Sequence, residues 1–288
     1  MGRELAEKYP AAAEVYRICD SIRPGTSTQC FDGTEEELKE TKNTQPCLFA
    51  TEMAAAATLM SLPAQAHPDA LAGFSLGEVA AATFAGIFSL QEGFRLVCRR
   101  GELMQQEAEK FDTSMAAVVR LTKQQVLALC DQFSDIYPVN FNCPGQITVS
   151  GLSSQMPEFS AKVKEAGGRA LPLKVKGAFH SPFMEEAACA FREELSCAEI
   201  RPMTIPLYSN VTARIYNGNA ADLLSRQISS PVRWEDIIRN MTADGIDTFI
   251  EIGPGRTLTN MIKKIDTTVR ALTAAEYLES ILEEETSC

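Results

Sequence analysis

AGFSLGEVAAA, residues Ala72 to Ala82, is the stretch on which the fold reading turns. Ser75 stands between Gly73 and Gly77 at G-x-S-x-G spacing. The short apolar run DALAGFS leads into it and LGEVAAATFAGIF follows with helical character, so the spacing predicts a strand, a sharp turn and a helix. Such an elbow exposes the serine Oγ and sets the Leu76 N–H at a helix N-terminus, where it can meet a developing oxyanion. The plainer reading is a turn serine between glycines placed for backbone freedom.

A serine hydroxyl is protonated at neutral pH and needs a base. The chain has only two histidines. His67, in AQAHPDA, precedes a proline in a predicted loop and reads as a surface residue. His180, in KGAFHSPFM, follows a predicted strand; alone it reads as structural, yet it is the only credible proton acceptor for Ser75. More than a third of the chain follows His180, which does not suit the Ser…Asp/Glu…His order of esterases and thioesterases. A dyad whose imidazole is oriented by a backbone carbonyl suits it better. In CRRGELMQ, Arg99 and Arg100 point to different faces of one helix. Arg100 is either solvated or turned inward with Leu103 and Met104, where a guanidinium grips a carboxylate through two parallel hydrogen bonds.

The 288 residues carry a formal net charge of −11 and a pI near 4.9, which speaks against nucleic acid or an anionic membrane as partner. Nine cysteines without a C-x-x-C pair argue against a metal or dithiol redox site and read as reduced thiols of a cytoplasmic protein. MGRELAEKYP is charged from its third residue, unlike a signal peptide. The longest apolar stretch, MAAAATLMSL, is about half of a membrane span and reads as a buried helix. EIGPGRTL lacks the third glycine of a dinucleotide fingerprint, and neither H-E-x-x-H nor a P-loop occurs.

From Thr113 the rhythm changes. SMAAVVRL, TKQQVLALCDQF, YPVNFN, QITVSG, MPEFSAKVKEAGG and RALPLKV read as β-α-β-β-α-β, which predicts a ferredoxin-like small subdomain over 113–179. Residues 1–112 and 180–288 then form one discontinuous α/β core with a parallel sheet. After His180 one clear strand is predicted, DTFIEIG, leading through PGR into the helix TLTNMIKKI.

In this order, GFSLGEVAA, CRRGELMQ, VNFNCPGQITVSG, GAFHSPFM, PLYSNVTA, SSPVRW and EIGPGRTLTNMI resemble the malonyl-CoA:acyl carrier protein transacylase family of fatty-acid synthesis. The acyltransferases of polyketide synthases are close relatives, and a trans-acting one is an alternative reading. The resemblance covers nearly the whole chain. It implies an α/β-hydrolase-like parallel-sheet core with an inserted ferredoxin-like subdomain. It implies a ping-pong transferase in which Ser75 takes malonyl from coenzyme A as an ester and yields it to the phosphopantetheine thiol of acyl carrier protein. His180 would be general base and acid, and no bound cofactor is implied.

The resemblance further implies that Arg100 binds the malonyl carboxylate and that the main-chain carbonyl of Arg233, in SSPVRW, orients His180. Leu76 N–H would be an oxyanion donor, and Gln45 and Asn142 would line the pocket. Phe179 matches the malonyl-selecting form, whose ring leaves no room for an α-methyl branch. Two features depart from the family. Phe74 replaces the usual histidine before the nucleophile, which alters the polarity expected around the acyl pocket. The family's opening strand and GQGSQ-type loop, source of a second oxyanion N–H, have no counterpart because the chain opens at MGRELAEKYP. The expectation is a natural product longer at its start; the alternative is a catalytically impaired homologue acting as a carrier-protein-binding subunit. Because carrier proteins are acidic, Lys174, Lys176, Arg256, Lys263 and Lys264 are candidates for a docking patch, with solvated faces as the competing account.

Overall fold

The computed structural model of the chain describes residues 1–62 and 67–286. A helical layer comes first: α1 (Arg3–Lys8), α2 (Pro10–Ile22), α3 (Thr26–Asp32), α4 (Glu35–Lys39) and α5 (Thr41–Met60). The periodicity over LAEKYPAAAEVYRICDSI predicts one helix, but two form. Pro10 holds Tyr9 in an extended conformation and then opens α2 at its first position. The alanine-rich α5 buries Phe49, Ala50, Ala54 and Ala55 among others and serves as a central helix of the main core.

Strand β1 (Leu71–Ala72) runs through the predicted turn into α6 (Leu76–Phe84), followed by α7 (Leu90–Ala108). Ser89 Oγ caps α7 by accepting the Glu92 N–H at 3.1 Å. Gly101 lets α7 lie close against the start of α5: a Cβ there would stand 3.0 Å from the Thr41 carbonyl oxygen. That approach brings the neighbouring Arg100 to Gln45.

The middle of the chain folds as β2 (Thr113–Val119), α8 (Lys123–Cys130), β3 (Ile136–Cys143), β4 (Gln146–Leu152), α9 (Met156–Glu165) and β5 (Arg169–Lys176). The four strands form one antiparallel sheet in the order β3-β4-β2-β5. Val118, Ile147 and Val149 face Phe159 and Val163 of α9 to make a separate small core. Thr122 and Gln125 close a capping box at the start of α8.

The last third holds α10 (Glu185–Ser196), β6 (Leu207–Tyr208), α11 (Ala220–Gln227), α12 (Trp234–Ala243), β7 (Thr248–Glu251), α13 (Thr257–Ile265), β8 (Arg270–Thr273) and α14 (Ala274–Thr286). Three strands follow His180 where the sequence predicts one. β6 has two residues and β8 four, too short for a readable alternation. Among the described residues the parallel strands form two separate pairs, β1 with β6 and β7 with β8, in place of the single parallel sheet expected. An apolar cavity of about 510 Å³ is lined by residues of both β1 and β7. The chain is thus an α/β protein built of helices and small sheets. Among the described residues no helix is long and apolar enough to cross a membrane.

Candidate active site

The turn after β1 is strained where the chemistry would sit. Ser75 has φ 53° and ψ −109°, a region that non-glycine residues rarely adopt. Gly73 permits the turn, because a Cβ there would lie 2.0 Å from the Gly77 carbonyl group. Asn210 clamps the elbow from both sides: its Oδ1 accepts the Ser75 N–H at 2.8 Å and its Nδ2 donates to Gly73 O at 2.6 Å. Leu76 supplies the first amide of α6, which has no intrahelical acceptor by its position.

His180, far off in sequence, is brought to the same point and also has positive φ, 63°. Its Nε2 lies 2.7 Å from Ser75 Oγ and its Nδ1 lies 2.8 Å from Gln227 O. A carbonyl oxygen can only accept, so Nδ1 carries the ring proton and Nε2 is left to accept the Ser75 Oγ–H. Burial, assisted by the neighbouring Arg100 charge, pushes the imidazole pKa down to about 4. The ring is therefore a neutral base at physiological pH.

The orienting carbonyl is that of Gln227, which corrects the assignment to Arg233. Gln227 ends α11, where the final carbonyls lack intrahelical partners and are free to take an outside donor. The Arg233 N–H instead donates to Asn210 O at 3.1 Å, and its guanidinium pairs with Asp236 on α12.

The two adjacent arginines of α7 part as the helical geometry requires. Arg99 pairs with Glu194 and Glu102 at the surface, whereas Arg100 has no exposed surface at all. Arg100 Nη1 donates to Gln45 Oε1 and Nη2 to Gln227 Oε1, each at 2.6 Å, and Nη2 also reaches Ser75 Oγ at 3.3 Å. Its Nε is buried and has no hydrogen-bond partner among the described residues. Burial lowers the guanidinium pKa to about 10, still cationic at neutral pH. A buried cation held by neutral amides beside a serine hydroxyl favours an entering anion.

Behind these groups lies Glu78, also with no exposed surface. Its Oε1 accepts from Tyr216 OH at 2.6 Å and from the Asn210 N–H at 3.1 Å; its Oε2 accepts from Gln227 Nε2 at 2.7 Å. Burial raises its pKa to about 7 against the pull of these donors and of Arg100. Glu78, Asn210 and Gln227 escape sequence reasoning. Glu78 lies one helical turn after Ser75 in the elbow, and Asn210 falls within PLYSNVTA, but nothing local says that either turns inward.

The remaining candidates divide. The Phe74 ring meets Trp234 edge-on at 5.7 Å, within an apolar cluster. Phe179, half-buried, packs against the main core. Asn142 is buried on β3, donates to Thr148 Oγ1 at 3.1 Å and leaves its Oδ1 without a partner. Lys174 and Lys176 are exposed on β5, Lys263 and Lys264 on α13, and Arg256 pairs with Glu276. His67 is exposed as expected. Among the described residues no group of three or more His, Cys, Asp or Glu gathers at metal-binding distance.

The sequence profile of the acyl transferase domain family matches residues 1–280. The malonyl CoA-acyl carrier protein transacylase of Bacillus subtilis is 34% identical over 284 residues, 96% of this chain and 89% of that protein. The crystal structure of malonyl CoA-acyl carrier protein transacylase from Clostridium perfringens superposes with a TM-score of 0.93 at 32% identity, covering 100% of this chain and 94% of that one. A malonyl-transacylase solved in complex with its type II polyketide-synthase acyl-carrier protein gives a TM-score of 0.90 at 31% identity, covering 95% and 89%. With the serine elbow, the buried histidine and this likeness over almost its full length, the chain belongs to the acyl transferase domain family.

Proposed function

We propose that the protein is an S-malonyltransferase that moves a malonyl group from coenzyme A to the phosphopantetheine thiol of acyl carrier protein. The observation that carries the reading is the convergence of two groups on one oxygen: Ser75 Oγ has His180 Nε2 at 2.7 Å and Arg100 Nη2 at 3.3 Å. The relatives' names supply the thioester donor and the carrier. Residues 1–112 with 180–288 read as an α/β-hydrolase-like core and 113–179 as its ferredoxin-like insert, supported by the β-α-β-β-α-β order and the central position of β2 and β4.

In the first half-reaction Ser75 Oγ attacks the thioester carbonyl carbon while its proton passes to His180 Nε2. The oxyanion forms beside the Leu76 N–H at the start of α6. The intermediate collapses, the C–S bond breaks, and the imidazolium returns the proton to the departing coenzyme A sulfur. In the second, the carrier thiol gives its proton to His180 and attacks the malonyl-serine, and Ser75 Oγ leaves with the proton back. Gln227 O stabilises the imidazolium at Nδ1 in each half. Arg100 offers the malonyl carboxylate its open Nε together with Nη2, and Gln45 holds the opposite side of the guanidinium. Phe179 and Asn142 are assigned to the surrounding wall.

Mixing the protein with malonyl-CoA should leave one malonyl group on Ser75 in the intact mass, removed on addition of holo carrier protein. A protein that turns over without ever carrying the group would exclude the ping-pong route. The depressed His180 pKa sets the ionisation of the base. A base must be unprotonated, and His180 stays so down to about 4, whereas a free imidazole would begin to protonate near 6.5. The His180 ring itself should therefore stay neutral between pH 7 and about pH 5 and titrate only as pH approaches 4, as read from its imidazole nitrogen resonances. A His180 resonance titrating near 6.5 would contradict the buried, neutral ring.

A further inference from the structure

We propose that Glu78 is a positioning residue for the reaction: its two carboxylate oxygens join the segment that holds Ser75 to the segment that holds His180 and Arg100. This inference rests on the transferase reading above. Glu78 touches none of the reacting atoms. It acts through two intermediaries that are themselves fully buried, Asn210 and Gln227.

On one side, Oε1 accepts the Asn210 N–H at 3.1 Å, and Asn210 Oδ1 in turn accepts the N–H of the strained Ser75 at 2.8 Å. On the other side, Oε2 accepts from Gln227 Nε2 at 2.7 Å. Gln227 then serves three groups at once. Its Nε2 also donates to Ser75 O at 2.6 Å, its Oε1 accepts from Arg100 at 2.6 Å, and its main-chain oxygen accepts from His180 Nδ1 at 2.8 Å. The amide orientation of Gln227 is forced, because Arg100 can only donate and Ser75 O can only accept. A flipped amide would set NH₂ against the guanidinium.

Only a carboxylate satisfies this place. Both sides of residue 78 meet groups that must donate: a backbone N–H at Asn210 and an amide NH₂ at Gln227. A glutamine there, although nearly the same shape, has one oxygen and one NH₂. Whichever way it turns, one donor faces another donor, at Asn210 or at Gln227. Buried donors left unmatched are costly, and relief requires either the Ser75 clamp or the Gln227 amide to move. Glu78 also supplies the counter-charge to buried Arg100 across the bridging Gln227 amide, so the cation needs no carboxylate in direct contact. The Arg100 fork thus stays open toward the serine.

The test is single-turnover acylation of Ser75 at about pH 8.5, where Glu78 is ionised, by saturating malonyl-CoA and acetyl-CoA, with rates expressed per folded site from the melting curve. Glu78→Gln should lower the saturated rate at least tenfold with both donors, since the Ser75 and His180 placements serve both. Glu78→Asp keeps two accepting oxygens on a shorter stem and should fall between the two. A residue that merely stabilises the fold would lower the melting temperature and leave the saturated rate per folded site unchanged. A change below threefold in folded Glu78→Gln therefore overturns the inference. Should Glu78→Gln not fold, Glu78→Asp decides: its rate should drop at least threefold, and a rate equal to the parent overturns the inference. The unaltered protein is the control. If it forms no malonyl ester, the transferase reading itself fails; if it does and the Glu78 variants match it, only the role of Glu78 fails.

Discussion

Ser75→Ala is expected to lower malonyl transfer to carrier protein by on the order of 10⁴-fold or more and to abolish the malonyl-protein intermediate. The substitution removes an atom that both His180 and Arg100 approach. It leaves the elbow itself intact, because the Ser75 N–H to Asn210 bond and the Gly73 contact do not involve the hydroxyl. The loss should thus appear in the rate and not in the melting temperature. His180→Ala should fall by a similar factor, and the double variant should be no worse than either single one, since a nucleophile and its base act as a unit. Steady-state transfer with malonyl-CoA and holo carrier protein measures all three. A Ser75→Ala protein retaining a tenth of the parent rate would end the account.

Arg100→Ala is expected to cost about 10²–10⁴-fold in malonyl transfer while changing acetyl transfer by less than about tenfold. Stranding a desolvated carboxylate without its partner costs about 3–5 kcal/mol, and each 1.36 kcal/mol is a factor of ten. Acetyl-CoA has no carboxylate and forfeits none of this. Arg100→Lys should not restore the preference. A single ammonium cannot reproduce a planar fork that donates to Gln45 from one nitrogen and to Gln227 from the other. The ratio of malonyl to acetyl kcat/KM across the three proteins is the measurement, and equal losses for both donors in Arg100→Ala would refute the carboxylate contact.

Much of the secondary structure was legible because its signals are local. The middle unit follows its reading nearly residue for residue, because each of its short strands and helices is signalled by its own few residues. The break at Pro10, the strands β6 and β8 and the splitting of the parallel strands into two pairs were not legible. A two-residue strand such as Leu207–Tyr208 has no period of its own, and it is a strand only because β1 lies beside it. At the site, Arg100 was legible as one of two outcomes, and the choice between solvent and core was made by the packing of α7 on α5. The carbonyl partner of His180 was misplaced by six positions, at Arg233 instead of Gln227, because a main-chain oxygen carries no side-chain signature.

By itself the sequence determined the kind of protein: an elbow serine, two histidines of which one stood in an apolar setting, and a paired arginine on an amphipathic helix, each readable from its neighbours. Only the tertiary structure decided which of these meet. It joined Ser75 to His180, buried Arg100 against Gln45 and Gln227, turned Phe74 toward Trp234, and set an unforeseen carboxylate, Glu78, beneath them all. The physical reason is one of range. Turn, cap and period act over a handful of bonds, whereas a proton donor and its acceptor separated by 105 residues are matched only when the core closes around them.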